Sequence, residues 1–401
     1  MRILIANDIA AGAGGVESYL AALVPALQAA GHTVALLHDL PVDAAAPVHI
    51  ARDHVPCIGV RSEGLDAALQ RIRRFAPDVC FSHNMGALDV DNALVGEWPV
   101  VKMLHGHFGT CVSARRAVAF PQVRACAREF GAACLLHYLP RRCGAANPRV
   151  MIDEYRWARR QAALFSRYDS MIVASAYMRE ACLRAGVAGE RVTAIPLFAP
   201  LDVPPATRDG EAREIDVLML GRLTALKGPD VLLRAIAEHT PSARVVIAGD
   251  GPERTRLERF ADTHRLHVRF PGWVSGADRD ALLRDARVVA VPSVWPEPFG
   301  LVGLEAGAFG TPAVAFDSGG IGEWLRDGVN GRLVHPSAGA EGFGRAIAAV
   351  LSDRDAWTRL SAGARATGGE FSVARHVRAL VSVFNRAAAC RHAGSEDPAH
   401  V

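Results

Sequence analysis

The chain has 401 residues, which is more than one ordinary hydrophobic core needs, so its length favours two domains. Half of the residues are hydrophobic and 22% are charged, a composition that excludes a disordered or fibrous protein. The formal net charge is only +3, and no run of about 18 apolar residues indicates a membrane span. We expect a cytoplasmic protein, because the chain starts like a strand and not like a signal peptide, and we expect no nucleic-acid partner.

The first half of the chain alternates strands with helices, a pattern that favours a parallel sheet. A short apolar strand at 2–6 leads through a loop with Gly12, Gly14 and Gly15 into an amphipathic helix, which Gly31 ends. Further strands are predicted at 33–37, 78–82, 100–104, 170–174 and 191–195. The second and third of these are mostly apolar without alternation, as a sheet buried on both faces requires.

Residues 106–150 interrupt this pattern, because they are rich in Arg, Cys, Gly and Pro and lack a clean periodicity. We expect an irregular insertion here, followed by a long helix at about 151–166. Four cysteines lie within 33 residues of the insertion: Cys111, Cys126, Cys134 and Cys143. An insertion of this size has little core of its own and needs an additional staple.

The sequence leaves three chemical states possible for these four cysteines. Four thiolates can bind one structural Zn²⁺ tetrahedrally, with His137 as a substitute for one of them. The cysteines can also form disulfides or stay ordinary buried thiols. Without a signal peptide reduced thiols are favoured, whereas the spacings of 14, 7 and 8 intervening residues lack the short loops of common zinc sites.

Positive charge is concentrated in the same half of the chain. Residues 111–191 contain fourteen Arg and no Lys against six acidic residues, which gives this segment a charge of +8. Such a local excess predicts an anionic partner, either an acidic substrate or a membrane surface such as the inner face of the plasma membrane. Solvated helix faces are the alternative.

The second half of the chain repeats the alternation of strands and helices. A segment rich in Pro and charged residues, 201–213, is the predicted linker between a domain at 1–200 and a domain at 214–390, whose last helix can pack back on the first domain. Strands are predicted at 217–220, 245–248, 268–270, 288–291, 313–316 and 332–334. Two such domains form a cleft, and ligands bind at the carboxyl ends of the strands that line it.

The segment 296–305, Pro-Glu-Pro-Phe-Gly-Leu-Val-Gly-Leu-Glu, is the strongest indication of a ligand site. Its prolines form a rigid turn, and a helix predicted from about Phe299 offers free N–H groups to an anion such as a diphosphate. Glu297 precedes this helix and Glu305 lies roughly two turns into it, so they can contact two parts of one extended ligand. In the alternative, Glu297 only caps the helix and Glu305 is a surface residue.

The loop 221–228, Gly-Arg-Leu-Thr-Ala-Leu-Lys-Gly, joins a predicted strand to a helix. Arg222 and Lys227 can both reach a phosphate pair from such a loop, and fixed cations stabilise the charge of a leaving nucleoside diphosphate. Two exposed loop cations are the alternative. Weaker features are the turn at 248–252 and the loop at 317–323, which can pack under phosphates or close as a lid.

These four features occur in one order, each at the carboxyl end of a strand, and together they resemble family-4 retaining glycosyltransferases of the two-Rossmann-domain, GT-B type. The Glu-x7-Glu pair of Glu297 and Glu305 is the signature of that family, and Gly-Arg-Leu-x3-Lys-Gly is its usual companion. The resemblance covers nearly the whole chain, and it is strongest over 215–335 and weakest over 106–150. It implies an α/β fold in which two Rossmann-like parallel-sheet domains face each other across a cleft.

The resemblance also implies roles for individual residues. Arg222 and Lys227 would hold the donor diphosphate, Glu305 would bind the ribose, and Glu297 would face the donor sugar. His105, at the end of a predicted strand, would lie beside the transferred sugar, with His107 nearby as a competitor. The remaining donor-binding residues would be Gly14, Gly15, Gly221, Gly249, Val274, Phe299, Gly300 and Leu301.

The implied reaction moves a hexosyl group from a nucleoside-diphosphate sugar to a lipid-linked, saccharide or small-molecule acceptor, with retention of configuration. The leaving phosphate helps to deprotonate the acceptor, so catalysis requires no divalent metal and no other cofactor. Three Asp-x-Asp matches, which begin at Asp89, Asp278 and Asp353, are interpreted as chance. Gly12-x-Gly14 lacks the third glycine of a dinucleotide fingerprint, because Glu17 occupies that position.

Two other classes of protein stay open beside the transferase. One is a nucleotide-sugar epimerase or hydrolase on the same architecture. The other is a non-catalytic metal-binding or redox-sensing protein built around the clustered cysteines. The intact set of Arg222, Lys227, Glu297 and Glu305 argues against the second alternative.

Overall fold

A computed structural model of the chain describes residues 1–12, 14–42, 46, 48–50, 54–199 and 213–395. The predicted linker at 201–213 lies outside these residues except for its last residue, Arg213. None of the helices in the described part of the chain is long and apolar enough to cross a membrane.

The first half of the chain contains eleven strands and seven helices within the described residues. The strands are β1 (Arg2–Ala6), β2 (Ala11–Gly12), β3 (Thr33–His38), β4 (Val48–His49), β5 (Cys57–Gly59), β6 (Val79–Ser82), β7 (Val100–Leu104), β8 (Ala117–Val118), β9 (Arg124–Ala125), β10 (Ser170–Val173) and β11 (Val192–Ala194). The helices are α1 (Gly15–Ala29), α2 (Val60–Glu63), α3 (Leu65–Phe75), α4 (Leu88–Glu97), α5 (Ala133–Tyr138), α6 (Pro148–Leu164) and α7 (Ala176–Arg184).

The second half contains six strands and seven helices among the residues described. The strands are β12 (Ile215–Leu220), β13 (Val245–Ala248), β14 (Val268–Gly272), β15 (Ala286–Val291), β16 (Ala313–Phe316) and β17 (Gly331–Val334). The helices are α8 (Pro229–His239), α9 (Arg254–Thr263), α10 (Gly276–Asp285), α11 (Leu301–Ala308), α12 (Gly339–Ser352), α13 (Arg354–Glu370) and α14 (Val373–Ser395).

Two open parallel sheets organise these elements, which confirms the predicted fold class. The first sheet has seven strands in the order β11-β10-β7-β6-β1-β3-β5, and the second has six in the order β14-β13-β12-β15-β16-β17. Helices cover both faces, so the central strands β6, β7, β13 and β16 are buried along their whole length. Buried parallel strands of this kind produce the continuous apolar runs seen in the sequence. In each sheet the strand order reverses beside β1 or β12, which opens a crevice at the carboxyl edge.

The insertion at 106–150 has more regular structure than the sequence analysis predicts. It contains an antiparallel hairpin of the two-residue strands β8 and β9, followed by the six-residue helix α5. Elements this short leave no periodic signal in a sequence. The long helix that follows begins three residues before its predicted start, because Asn147 caps it by accepting from the Arg149 N–H at 2.9 Å and Pro148 fits the first helical turn.

The last helix, α14, belongs to the second half of the sequence but packs on the first domain. Its apolar face joins the core formed by α1 and the first sheet, where the Phe384 ring lies 4.9 Å from that of Phe81. The helix is also held by polar contacts, because the Nε2 of His376 lies 2.8 Å from the hydroxyl oxygen of Tyr19. Five of its side chains are buried in that core: Val377, Leu380, Val383, Phe384 and Ala387.

Candidate active site

The loops after β12 and β13 lie against each other at the carboxyl edge of the second sheet. The Gly221 N–H donates to the Ala248 carbonyl at 3.0 Å, and Gly249 adopts a φ of +142°. A β-carbon at Gly249 would lie 1.9 Å from the Gly221 carbonyl oxygen, so no larger residue fits there. The Gly249 N–H donates to the carbonyl of Gly272, the last residue of β14, at 2.7 Å, and Val274 follows two residues later at the same edge of the sheet.

A buried ion pair lies where the loops after β12 and β15 meet. The Lys227 ammonium donates to Oε1 of Glu297 at 2.6 Å, and the Ser293 hydroxyl donates to the same oxygen at 2.6 Å. The Glu297 side chain is only 7% exposed and that of Lys227 is 25% exposed. The ammonium also stands 4.9 Å from the centroid of the Trp295 ring. The structure therefore brings two of the predicted catalytic residues into direct contact.

The loop after β16 supports the backbone around Glu297. The Gly320 N–H donates to the Glu297 carbonyl at 2.7 Å, and the Ser318 hydroxyl donates to the Trp295 carbonyl at 2.7 Å. Gly319 has a φ of +69°, and a β-carbon there would lie 2.2 Å from the Glu297 carbonyl oxygen. These contacts make the loop a support for the Glu297 backbone, and the two roles predicted for it, packing under phosphates and closing as a lid, stay predictions.

The helix α11 begins at Leu301, and Gly300 caps it with a φ of +80°. Its first N–H groups have no partner within the helix, so they point out of its N-terminus. Glu305 is the fifth residue of α11 and thus lies just over one turn into the helix, which corrects the predicted two turns. Burial raises the pKa of Glu305, and Arg279 on α10 donates to its Oε1 at 3.3 Å.

Arg222 differs from Lys227 in its surroundings. Its side chain is exposed, and among the described residues this side chain makes no hydrogen bond or ion pair.

Gly14 and Gly15 lie at the N-terminus of α1 in the first domain, where a β-carbon on Gly14 would lie 2.2 Å from an oxygen of Glu17. The predicted diphosphate contacts of these three residues are therefore compatible with their placement and stay predictions.

His105 follows β7 and forms a pair with a second histidine. The Nδ1 of His83 lies 2.8 Å from the Nε2 of His105, and the two rings stack with centroids 5.1 Å apart. Tyr19 packs edge-on against His105 at 5.7 Å. Burial, together with the charge of Lys102, lowers the pKa of His105 to about 3, so its imidazole is neutral at physiological pH.

His107 is the residue of the first domain that contacts the Glu297 loop. Its Nε2 lies 3.4 Å from the Pro296 carbonyl oxygen, and its Nδ1 is buried without a hydrogen-bond partner in the described part of the chain. Burial lowers the pKa of His107 to about 4. Ser175 makes a second contact between the domains, because its hydroxyl donates to the Pro298 carbonyl at 2.7 Å. The segment 296–298 of the second domain is therefore held by hydrogen bonds from His107 and Ser175 of the first domain.

Sequence reasoning missed five residues that contact the predicted site residues: Tyr19, His83, Arg279, Ser293 and Trp295. His83 follows the buried strand β6, and a polar residue at that position could have indicated it. Arg279 lies inside one of the Asp-x-Asp matches that were interpreted as chance. Tyr19 and Ser293 carry no signal in sequence, because the first looks like a core residue of an amphipathic helix and the second like a loop residue.

The four clustered cysteines converge on one cavity of about 30 Å³ in the insertion. All four are free thiols. Burial, together with the neighbouring sulfurs of Cys126, Cys111 and Cys134, raises the pKa of Cys143 to about 11. His137 lines the same cavity.

Comparison with known proteins matches both halves of the chain to glycosyltransferase families. Residues 13–203 match the family described as Glycosyltransferase Family 4, and residues 208–367 match Glycosyl transferases group 1. D-inositol 3-phosphate glycosyltransferase from Salinispora tropica is 40% identical over 193 residues, which are 43% of this chain and 38% of that protein. The enzyme of the same name from Xylanimonas cellulosilytica is 36% identical over 222 residues, or 49% of this chain and 52% of that protein. The chain thus spans about two fifths to one half of the length of these curated relatives.

Solved structures share the whole architecture at low sequence identity. Anabaena HepE in complex with UDP and glucose superposes with a TM-score of 0.68 at 20% identity and covers 96% of this chain and 99% of its own. Sucrose-phosphate synthase from Thermosynechococcus elongatus has a TM-score of 0.71 at 21% identity, with 97% and 100% covered. The two family matches, the two parallel sheets and these structures agree that the chain belongs to the family-4-like, two-domain glycosyltransferases with the GT-B fold.

Proposed function

We propose that the chain is a retaining hexosyltransferase, which moves a sugar from a nucleoside-diphosphate sugar to the hydroxyl group of a lipid-linked, saccharide or small-molecule acceptor. The observation that carries this proposal is the Lys227–Glu297 ion pair beside the N-terminus of α11, at the carboxyl edge of the second sheet. A cation, a carboxylate and free N–H groups in one crevice match the phosphates and hydroxyls of such a donor. The UDP and UDP-glucose bound by HepE of the same fold support the same donor class.

The ion pair gives each partner a role in donor binding. The diphosphate carries more negative charge than one carboxylate, so it draws the Lys227 ammonium away from Glu297. Arg222, which is exposed at the start of the same loop, adds a second cation to the phosphates. Glu297 then accepts hydrogen bonds from sugar hydroxyls, and Glu305 accepts them from the ribose. Because Lys227 and Glu297 already lie in place, little reorganisation is needed when charge develops in the transition state.

The neutral histidines complete the sugar side of the crevice. His105 cannot act as a cation at physiological pH, so it contacts the transferred sugar as a hydrogen-bonding group held by His83. In the reaction the bond between the anomeric carbon and the phosphate oxygen breaks, and the acceptor oxygen bonds to that carbon from the same face. The acceptor proton passes to the departing phosphate oxygen. This route uses no divalent metal, because Lys227, Arg222 and the helix N-terminus meet the phosphate charge.

The surface of the insertion supports a membrane-bound acceptor. Large apolar side chains are exposed there, namely Phe120 at 50%, Leu136 at 77% and Leu139 at 37%, and Ile152 of the following helix α6 is 41% exposed. Exposed arginines surround them, and the guanidinium of Arg142 lies 5.4 Å from the centroid of the Phe120 ring. Apolar groups next to arginines suit an anionic lipid surface. We therefore include peripheral binding to the inner leaflet, in glycolipid or polysaccharide assembly, in the proposal.

Product analysis tests the transferase directly. The chain is screened for thermal stabilisation by nucleoside diphosphates and their sugars, and the stabilising donor is then incubated with and without hydroxyl acceptors. Retention is read from the anomeric configuration of the product by NMR. A new sugar configuration without an acceptor would indicate an epimerase, and release of free sugar alone would indicate a hydrolase. Either result would overturn the transferase proposal.

Vesicle binding tests the membrane part separately. Co-sedimentation with vesicles that contain anionic lipid is expected to exceed that with neutral vesicles and to fall with added salt. Leu136→Ser should weaken it, whereas Val329→Ser, which alters a half-exposed valine of the second domain, should not. Equal binding to neutral vesicles, or no binding to either, contradicts the membrane proposal and leaves the transferase untouched.

A further inference from the structure

The insertion is compact although its secondary structure is minimal. Its strands β8 and β9 have two residues each and its helix α5 has six, yet Arg116 is only 5% exposed and Tyr138 only 1% exposed. The Tyr138 hydroxyl donates to Glu154 of α6 at 2.6 Å and the Arg116 guanidinium donates to the Thr110 carbonyl at 3.1 Å, so each of these side chains has a polar anchor. Elements this short bury little apolar surface, and a cross-link would fix the segment between β7 and α6 further.

The four cysteine sulfurs lie where a cross-link would hold the segments of the insertion together. Each comes from a different piece of the insertion, since Cys111 follows β7, Cys126 follows β9, Cys134 lies in α5 and Cys143 follows α5. All four line the same cavity, so a single ion there would tie together four segments that are separate in sequence. A cross-link of this kind removes more chain entropy than any one contact between neighbours in sequence.

Backbone hydrogen bonds fix the positions of the cysteine residues around the cavity. The Arg116 N–H donates to the sulfur of Cys111 at 3.4 Å. The Cys126 N–H donates to the Arg116 carbonyl at 2.8 Å, and the Cys143 N–H donates to the Tyr138 carbonyl at 2.9 Å. The Cys134 N–H donates to the Gly131 carbonyl at 2.9 Å, so each of the four cysteines is fixed by a hydrogen bond of its own residue, and all four line the cavity.

The chemistry of the cavity selects the ion. Sulfur is the donor atom of all four cysteines, and a closed set of four thiolates is the preferred environment of a structural Zn²⁺. Within the ranges that the structure describes, no three metal-binding side chains yet stand as close together as ligands of one ion. The cavity of about 30 Å³ leaves room for the sulfurs to move inward onto an ion near its centre. The donor set and the shared cavity therefore fit zinc, although the sulfurs still have to close on it.

We propose that Cys111, Cys126, Cys134 and Cys143 bind one structural Zn²⁺, which holds the insertion against the active site. The site is separate from the sugar-transfer chemistry, and it stands whether or not the proposed function is correct.

The zinc site is connected to the active site through a short chain of contacts. The guanidinium of Arg116 donates to the Thr110 carbonyl at 3.1 Å, and the Thr110 hydroxyl donates to the His107 carbonyl at 3.2 Å. His107 in turn contacts the Pro296 carbonyl, next to Glu297. Loss of the ion would therefore loosen the contact between the first domain and the Glu297 loop.

Elemental analysis of the full chain, purified without added metal or chelator, tests the proposal. The expected result is about one zinc per chain. Cys126→Ser and Cys143→Ser should each lower the bound zinc at least tenfold, since a structural site that loses a thiolate binds far more weakly. Matched controls are Cys57→Ser and Cys390→Ser, because both thiols are exposed and neither lines the cavity. These two variants should keep the full zinc content.

Measurements on the wild-type chain keep the proposal testable if the cysteine variants do not fold. A mercurial reagent should release zinc into a chromogenic chelator in step with the modification of four thiols. Titration of the denatured chain counts its thiols against the eight cysteines in the sequence. Absence of metal with eight thiols would overturn the proposal in favour of ordinary buried cysteines. Absence of metal with four thiols missing would overturn it in favour of two disulfides, and iron in place of zinc would overturn the assignment of the ion.

Discussion

Lys227→Met removes the ammonium that pairs with Glu297 while keeping an unbranched side chain of similar length. In the free protein this leaves a carboxylate that is 7% exposed, with the Ser293 hydroxyl as its one side-chain hydrogen-bond donor among the residues that the structure describes. Breaking a fully buried ion pair costs about 3–5 kcal/mol and breaking an exposed pair costs under about 1 kcal/mol. The Lys227 side chain is 25% exposed, so we expect a loss of about 2 kcal/mol in the free energy of unfolding.

The same substitution should lower kcat/KM by about 10²–10³-fold, because the leaving diphosphate loses a fixed cation in the transition state. A double variant separates the two effects. Replacing both residues, as Lys227→Met with Glu297→Gln, turns the ion pair into a neutral pair, so most of the stability should return. Activity should stay low, because the phosphate still lacks its cation.

Stability is measured by urea unfolding, and activity by initial rates of product formation with the donor identified in the screen. Arg234→Met is the matched control, since Arg234 forms an ion pair with Asp230 on the exposed face of α8. It should change the unfolding free energy by less than about 0.5 kcal/mol and leave turnover unchanged. Near-normal kcat/KM in Lys227→Met, or recovery of activity along with stability in the double variant, would refute the phosphate role.

Three further predictions follow from the geometry. Gly249→Ala places a β-carbon 1.9 Å from the Gly221 carbonyl oxygen and should lower the free energy of unfolding by at least about 2 kcal/mol. The control is Gly96→Ala, which has open space around its β-carbon and should not lower it. Equal melting curves for the two variants would contradict the prediction. His105 and His376 are buried with pKa values lowered to about 3 and about 4, so the unfolded chain binds more protons below about pH 6.5. Stability should therefore fall from about pH 6.5 to about pH 4, by up to about 1.4 kcal/mol per pH unit for each histidine, and urea midpoints that stay flat over this range would contradict it. Transfer measured over minutes in EDTA should stay within about twofold of the rate with Mg²⁺, and loss of transfer that Mn²⁺ restores would contradict the metal-independent route.

The fold class and the loops at the carboxyl edge of the second sheet could be predicted from the sequence, whereas the donor-binding roles of those loops stay predictions. Buried parallel strands appear in a sequence as continuous apolar runs, so their positions can be predicted without a structure. The helix N-terminus after Pro298 can be predicted as well, because it follows from the residues of the local turn. Contacts between distant segments are different, because they depend on the register of the sheet. His83 and His105 are 22 residues apart and meet only because β6 and β7 are neighbours in the first sheet. Arg279 reaches Glu305 because α10 packs beside α11, and the only sequence signal for it was an Asp-x-Asp match that was interpreted as chance.

The position of α14 also governs when the first domain can become complete during synthesis. The core between α1 and the first sheet includes Phe198 from the first half of the chain and Ala387 from the end of α14. At about 5–20 residues per second, a ribosome needs roughly 10–40 s to make the intervening chain. During that interval α1 covers only part of this face of the first sheet, and the part that α14 later covers is a surface that a chaperone can bind. The second domain can therefore finish folding before the first, in the reverse of the order in which they leave the ribosome.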